Sequence, residues 1–265
     1  MQRTRLVRVF SWVKIPLKVN IRTKTICILE TSPPIIMLIT NPYCYEALER
    51  STQPSGERVY VTPFGALPSV TTILSATSDN AGLAAWREFV GEARANQIRD
   101  EATGLGSLMH EHLECHIQNI ERPRGSNLVR QMARKMADVI INGGLKDMTE
   151  IWGIESPLYY PGKWAGTTDL VGVYKGKPAI CDYKTASKMK TADMITDYFL
   201  QGCAYALAHN VLYGTEIRSV VIFMVSRDLQ HKTFVIEDEE FDKYLAMWEK
   251  RVELYYEKFP PAEAE

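Results

Sequence analysis

The sequence predicts a single mixed α/β domain of the α+β kind, in which a helical N-terminal lobe leads into a central sheet. Two observations predict it. Between Ala81 and Ile141 apolar residues recur at helical spacing, and from Ile151 onward the period drops to two. The strand-like runs then cluster, and a helix, two more strands and a final helix follow, an order that suits one layered domain. At 265 residues and 46% hydrophobic content the chain can fill one large core.

The elements follow in order. Residues 59–67 read as short and extended, punctuated by Pro63 and Pro68, and Ser69 opens a short helical turn. A long helix is expected over about 81–102, with Trp86, Phe89, Val90, Ala93 and Ile98 as its apolar stripe. A break at Gly104–Gly106 would separate it from a second helix over 107–119. Residues 127–141 form a third amphipathic helix closed by Gly143-Gly144. Three strands are expected at 151–160, 164–174 and 178–184, a helix at 192–212, strands at 217–225 and 232–236, and a helix at 238–258.

Charge is unevenly spread. Residues 1–36 hold seven basic residues and one acidic residue. Since the whole chain has 31 basic and 32 acidic residues, the rest has 24 and 31, or −7. A nucleic-acid contact in the body must therefore use a local basic patch. Residues 1–36 read as a disordered or spurious extension ahead of a domain over 37–265, or else as a transit peptide. The expected setting is cytoplasmic, in a bacterial or phage-infected cell, or mitochondrial if that segment is a real address. The five cysteines are scattered without a CxxC pair, which argues against a disulfide framework or zinc ribbon. The apolar run 33–39 is too short to span a bilayer, so no membrane partner is expected. Oligomeric state is not legible.

The chemistry concentrates in residues 166–185, GTTDLVGVYKGKPAICDYKT. Lys175-Gly176 suits a two-residue hairpin loop. That register pairs Tyr174 with Lys177 and Asp169 with Asp182, and sets Thr167 opposite Lys184. Directly opposed carboxylates would have Cβ atoms about 4.5–5.5 Å apart and repel. Lys184, two residues past Asp182, shares its face. Relief could come from a shared proton, from Lys184 as a structural ion pair, or from a divalent cation. Beside a lysine, a cation suits phosphodiester hydrolysis. Against this, Asp-x-Lys is common by chance, and one residue of slip would put the two Asp on opposite faces.

Other candidates surround this hairpin. His110 and Glu114 are four apart on one helix face, as are Gln201 and Tyr205. His112 and His116 could form a zinc pair, although the HExxH pattern is absent. Glu155 would pair with Thr168 across a two-residue Pro161-Gly162 turn, or with Asp169 across a three-residue loop. Trp86, Arg87, Arg94 and Arg99 are candidates for stacking and phosphate contacts, with core packing the simpler role for Trp86.

In chain order the motifs are Gly106-Ser-x-x-His110-x-x-x-Glu114, a strand-borne Glu155, Gly166-x-x-Asp169, Asp182-Tyr-Lys-Thr185 and Gln201-x-x-x-Tyr205. This set resembles the PD-(D/E)XK nuclease superfamily. Within it, the set resembles the RecB-like exonucleases of the group formed by mitochondrial genome maintenance exonucleases and their phage-encoded relatives. PSVTTIL and LAAWREFVGEARANQI, at 68–74 and 83–98, resemble that group as well, and the likeness covers about 59–210. It implies a restriction-endonuclease-like core, a central mixed sheet flanked by helices, with a Mg²⁺- or Mn²⁺-dependent site. By match, Asp169, Asp182, His110 and the Tyr183 carbonyl would hold the metal, and Lys184 would position the attacking water. Glu155 would support the metal shell, and Gln201, Tyr205 and Thr185 would lie on the substrate side. No iron–sulfur cluster is expected, because the cysteine spacing of the relatives that carry one is missing. The implied activity is a DNA exonuclease working from free, single-stranded or frayed ends. A structure-specific endonuclease and a non-catalytic nucleic-acid-binding protein are the rivals.

Overall fold

The computed structural model describes residues 5–6, 37–53 and 57–260. A seven-stranded mixed sheet forms the centre, and helices cover both faces. Its first strands are β1 (Arg5–Leu6) and β2 (Leu38–Ile39), which pair antiparallel at one edge. Next come β3 (Arg50–Thr52), β4 (Arg58–Thr62) and β5 (Gly65–Pro68), which form a separate three-stranded sheet. Four helices follow: α1 (Val70–Thr77), α2 (Ala81–Val90), α3 (Glu92–Ile117) and α4 (Leu128–Gly143). The main sheet is completed by β6 (Met148–Tyr160), β7 (Trp164–Tyr174) and β8 (Lys177–Ala186), then, after α5 (Thr196–Tyr213), by β9 (Ser219–Ser226) and β10 (His231–Glu237). The last described element is α6 (Asp238–Lys258). The strand order is β1-β2-β6-β7-β8-β9-β10. The expectations for residues 1–36, apart from Arg5–Leu6, and for the end of the tail at 261–265 lie outside the described residues.

Side-chain alternation divides the core into two halves. On β9, Val220, Ile222 and Met224 join Phe199, Phe241 and Trp248 under α1, α5 and α6. Val221, Phe223 and Val225 join Met109, Leu113, Met136 and Ile140 under α3 and α4. Every residue of β9 is buried, as a strand covered on both faces requires. Parallel pairs occur where a helix crosses between strands, β8 to β9 through α5 and β2 to β6 over α3 and α4.

Local sequence explains the ends of these elements. The Ser69 side chain accepts the Thr72 N–H at 2.9 Å, and Asn127 accepts the Arg130 N–H at 2.8 Å, so both act as N-caps. Asp238, Glu239 and Glu240 occupy the first turn of α6, where the helix dipole favours negative charge. Lys175 and Gly176 both take positive φ, 48° and 82°, the type I′ geometry that a two-residue hairpin needs.

One boundary differs from expectation. The helix breaks at Gly91 (φ 83°), and Gly104 and Gly106 run through the interior of α3. The stripe read as continuous from Trp86 to Ile98 is thereby cut. Helix α2 buries none of its residues; Trp86 is 38% exposed and Phe89 is 89% exposed, so Trp86 is not a core residue. Arg87 meets Glu92 across the break, and Arg99 pairs with Asp100, so both cations are already partnered.

Candidate active site

The site forms where β7 and β8 part. Their ladder runs from Tyr174–Lys177 to Leu170–Cys181, in the register expected from the Lys175-Gly176 loop, and stops one pair short of Asp169 and Asp182. Asp169 does not face Asp182 as a paired neighbour. Its Oδ2 accepts the Tyr183 N–H at 2.8 Å, a bond the ladder cannot supply once the strands diverge. Separation also relieves the repulsion of directly opposed carboxylates. Asp169 thus turns toward α3, while Asp182 turns toward Lys184.

Glu155 joins from β6. The loop to β7 has three residues, Pro161 to Lys163, and Tyr160 pairs with Trp164. Ile154 then pairs with Leu170 and Ser156 with Thr168, which leaves Glu155 level with Asp169. Glu155 takes φ 45°, the left-handed region that a non-glycine residue in a strand rarely enters, at a cost of about 1–3 kcal/mol. Such strain gathers at functional sites, and here it accompanies the approach of a third acid group.

His110 arrives from above the sheet. Leu105, Met109, Leu113 and Ile117 of α3 pack on Cys181, Tyr183 and Phe223. His110 lies one residue round from that stripe and projects at its margin. Its Nε2 is 2.9 Å from the Tyr183 carbonyl oxygen, and its Nδ1 is 3.7 Å from Asp169 Oδ2. One ligand atom each from His110, Glu155 and Asp169 lie within 4.8 Å of one another. Among the described residues this is the group of His, Cys, Asp or Glu side chains able to share an ion. His112 and His116, the alternative pair, gather no third ligand there, and His112 is buried.

The other half of the site is held by α5. Lys184 Nζ is 2.5 Å from Asp182 Oδ2 and donates to Gln201 Oε1 at 3.3 Å. Gln201 Nε2 donates to the Tyr205 hydroxyl at 3.5 Å. Tyr205 is buried, so it acts on this site through Gln201. A Cβ on Gly166 would lie 2.7 Å from the Tyr205 ring and hydroxyl, so the glycine of the GTTD run is what lets the phenol come close. Thr185, on the opposite face of β8 from Lys184, approaches Gly106 of α3. Tyr198, three residues before Gln201 on α5, was missed in the sequence; its ring centroid lies 4.9 Å from Lys184 Nζ. The i, i+3 spacing to Gln201 was the available signal.

Charge in this cleft is unbalanced. Glu155, Asp169 and Asp182 face one ammonium, Lys184. Burial pushes the Asp182 carboxyl up to about 6, with Asp169 adding to the rise and Lys184 opposing it. Burial, then Asp169 and Glu114, raise Glu155 to about 7, a shift softened by the solvent that still reaches it. Burial pulls Lys184 down, but Asp182 and Asp169 outweigh it, and the group stays charged. The Lys184 ammonium is the one cation that meets Asp182 Oδ2 among the described residues, and it leaves Asp169 and Glu155 without an ion-paired lysine or arginine there. Surplus carboxylates and a backbone carbonyl together fit a hard divalent cation, which takes oxygen ligands.

No family model matches the chain. Individual relatives do. The chain is similar to mitochondrial genome maintenance exonuclease 1. It is 28% identical to the Mus musculus protein over 205 residues, covering 72% of this chain and 60% of that protein. Identity to the Homo sapiens protein is 28% over 207 residues, with 72% and 59% coverage. The chain therefore spans about three-fifths of the length of these curated relatives. A crystal structure from Eubacterium rectale, provisionally described as an exonuclease, superimposes with a TM-score of 0.45 and 16% identity, covering 60% of this chain and 65% of the other. The sequence likeness agrees with the PD-(D/E)XK-like resemblance carried by the motifs.

Proposed function

We propose that the chain is a divalent-metal-dependent DNA exonuclease that hydrolyses phosphodiester bonds from free, single-stranded ends in DNA replication, recombination or repair. The observation that carries this is the meeting of His110, Glu155 and Asp169 beside the Asp182–Lys184 ion pair, at the solvent-accessible parting of β7 and β8. DNA as the substrate is supported by the genome maintenance exonucleases to which the chain is similar.

Mg²⁺ or Mn²⁺ would be held by His110, Glu155 and Asp169, whose ligand atoms converge, with the Tyr183 carbonyl and the neighbouring Asp182 completing the set. When bound, such an ion polarises the scissile phosphate and lowers the pKa of water. The remaining work falls to the chain's own groups. Lys184 offers a fixed ammonium where negative charge builds on the phosphate, and Asp182, Gln201 and the Tyr198 ring keep it from swinging away. Asp169 holds the Tyr183 amide and so fixes the Asp182–Tyr183 peptide plane at the edge of the site. His110 packs edge-on against the Tyr183 ring, with centroids 5.5 Å apart, which limits its rotation.

The test is degradation of end-labelled single-stranded DNA in Mg²⁺ by wild type and by Lys184→Ala. A loss of roughly 100- to 1000-fold is expected for removal of one preorganised charge-stabilising donor. Undiminished activity would reject the role given to Lys184. A circular single strand should survive while the linear strand is consumed; equal cleavage would make the protein an endonuclease.

A further inference from the structure

A second lysine stands beside Lys184, and its charge is used differently. β8 ends at Ala186, and residues 187–191 lead to a short 3₁₀ turn and then to α5. Lys190, in that connection, places its Nζ 5.1 Å from the centroid of the Tyr198 ring and donates to the Tyr198 hydroxyl at 3.2 Å. The same ring receives Lys184 Nζ at 4.9 Å. One tyrosine therefore holds two ammonium groups. Lys184 is neutralised by Asp182. Lys190 makes no ion pair among the described residues. A phenol oxygen at the edge of a ring holds a cation in place without cancelling its charge. The result is a located, half-buried, unneutralised cation next to the lysine of the catalytic cleft.

We infer that Lys190, seated on Tyr198, binds a non-scissile phosphate of the single DNA strand, the neighbour of the phosphate at Lys184. Tyr198 is the positioning residue that couples the two lysines. This rests on the exonuclease reading for the identity of the strand, and it extends that reading from the reacting phosphate to the next one. A polyanion lying across this cleft presents phosphates in series, and the uncompensated cation is the group that meets the second. Tyr198 also sets the spacing, because moving its ring shifts both ammonium groups together.

Binding of a fluorescein-labelled single strand, measured by anisotropy in EDTA over a series of NaCl concentrations, tests this without requiring turnover. Lys190→Ala should weaken binding several-fold at low salt and make the slope of log affinity against log salt shallower by about 0.7, the share of one single-strand phosphate contact. Lys190→Arg should restore the slope. Lys250→Ala, which removes an equal charge from the exposed side of α6, should leave it unchanged. In Mg²⁺, Lys190→Ala should raise KM, whereas Tyr198→Leu should raise KM and lower kcat together. Tyr198→Phe, which keeps the ring beside Lys184 but removes the oxygen that accepts from Lys190, should raise KM as Lys190→Ala does and leave kcat close to wild type. A wild-type slope in Lys190→Ala, or an equal loss in Lys250→Ala, would overturn the assignment while leaving the nuclease reading intact. A wild type that binds with the expected slopes but degrades no DNA would overturn the nuclease reading and leave the phosphate site standing.

Discussion

Two histidines in this molecule have opposite surroundings. His209, on α5, is fully buried and every polar atom of its ring is met by a neutral partner. Its Nδ1 is 2.8 Å from Thr215 Oγ1 and its Nε2 is 3.0 Å from the Tyr45 hydroxyl. The rings of Tyr43 and Tyr213 lie 4.8 Å from it, and Trp152 stacks at 6.5 Å. Burial drives its pKa down to about 4. His110 is a quarter exposed at its side chain, touches a carbonyl oxygen, and faces carboxylates that outnumber the nearby ammonium. The difference teaches that the partners of an imidazole decide its use. Ringed by neutral, satisfied groups it serves as a core residue; set among oxygens short of positive charge it serves as a ligand.

The largest effect should come from unbalancing the second environment. Asp169→Asn keeps an oxygen that can accept the Tyr183 N–H, so the fold should persist. It removes one of the three converging ligands, and DNA hydrolysis should fall at least about 100-fold. Thermal melting gives a second readout. Mg²⁺ at 100 times its Kd would stabilise the wild type by about 2.7 kcal/mol, and this shift should vanish in Asp169→Asn. An unchanged Mg²⁺ shift in the mutant would show that Asp169 is no ligand and that the contrast between the two histidines is misdrawn.

Much of this environment was legible in the sequence because it sits on regular strands. The type I′ turn at Lys175-Gly176 determined the β7–β8 register through Leu170–Cys181. What the turn could not reveal was the parting of the strands just beyond, because that depends on Asp169 capturing the Tyr183 amide and on α3 bringing His110 across. Glu155 remained open between two loop lengths, and its positive φ has no local signature, since glutamate is not a residue that favours it. The break at Gly91 was misplaced because Gly104 and Gly106 were equally good breakers by composition; a long α3 packed on the sheet overrides them. His209 could not be distinguished from an exposed helix residue, because its partners Tyr45 and Thr215 reach it only in the folded chain.

Acid should sharpen the contrast from the other side. The folded pKa of His209 is about 4 and the unfolded value about 6.5. Between those values the unfolded chain binds more protons, so stability rises with pH there. The contribution is complete above about pH 6.5 and is lost as pH falls toward 4, amounting to roughly 3 kcal/mol for a shift of this size. His112, His116 and His231 are also lowered by burial and add to the trend. Urea unfolding of wild type and His209→Gln at pH 7 and pH 4.5 isolates the His209 share. The mutant should lose less on acidification, and identical losses would remove His209 from the account.

The smallest effect should follow from loosening the His209 box without touching its charge. Thr215 Oγ1 donates to Asn210 Oδ1 at 2.8 Å, so it must accept from the Nδ1–H of His209. Nε2 is then the acceptor for the Tyr45 hydroxyl, which is the neutral tautomer. Thr215→Val keeps the shape and removes the hydroxyl. Asn210 retains the Ile217 N–H at 2.8 Å, so the loss falls on the imidazole, whose buried N–H loses its acceptor. Urea unfolding at pH 8 should register a loss of about 1–2 kcal/mol. The rate of DNA hydrolysis per folded molecule should not change, because neither Thr215 nor His209 reaches the cleft of Asp169 and Lys184. A lower rate at unchanged stability would mean that the two histidine environments communicate through α5, the helix that carries both His209 and the Gln201–Tyr205 pair.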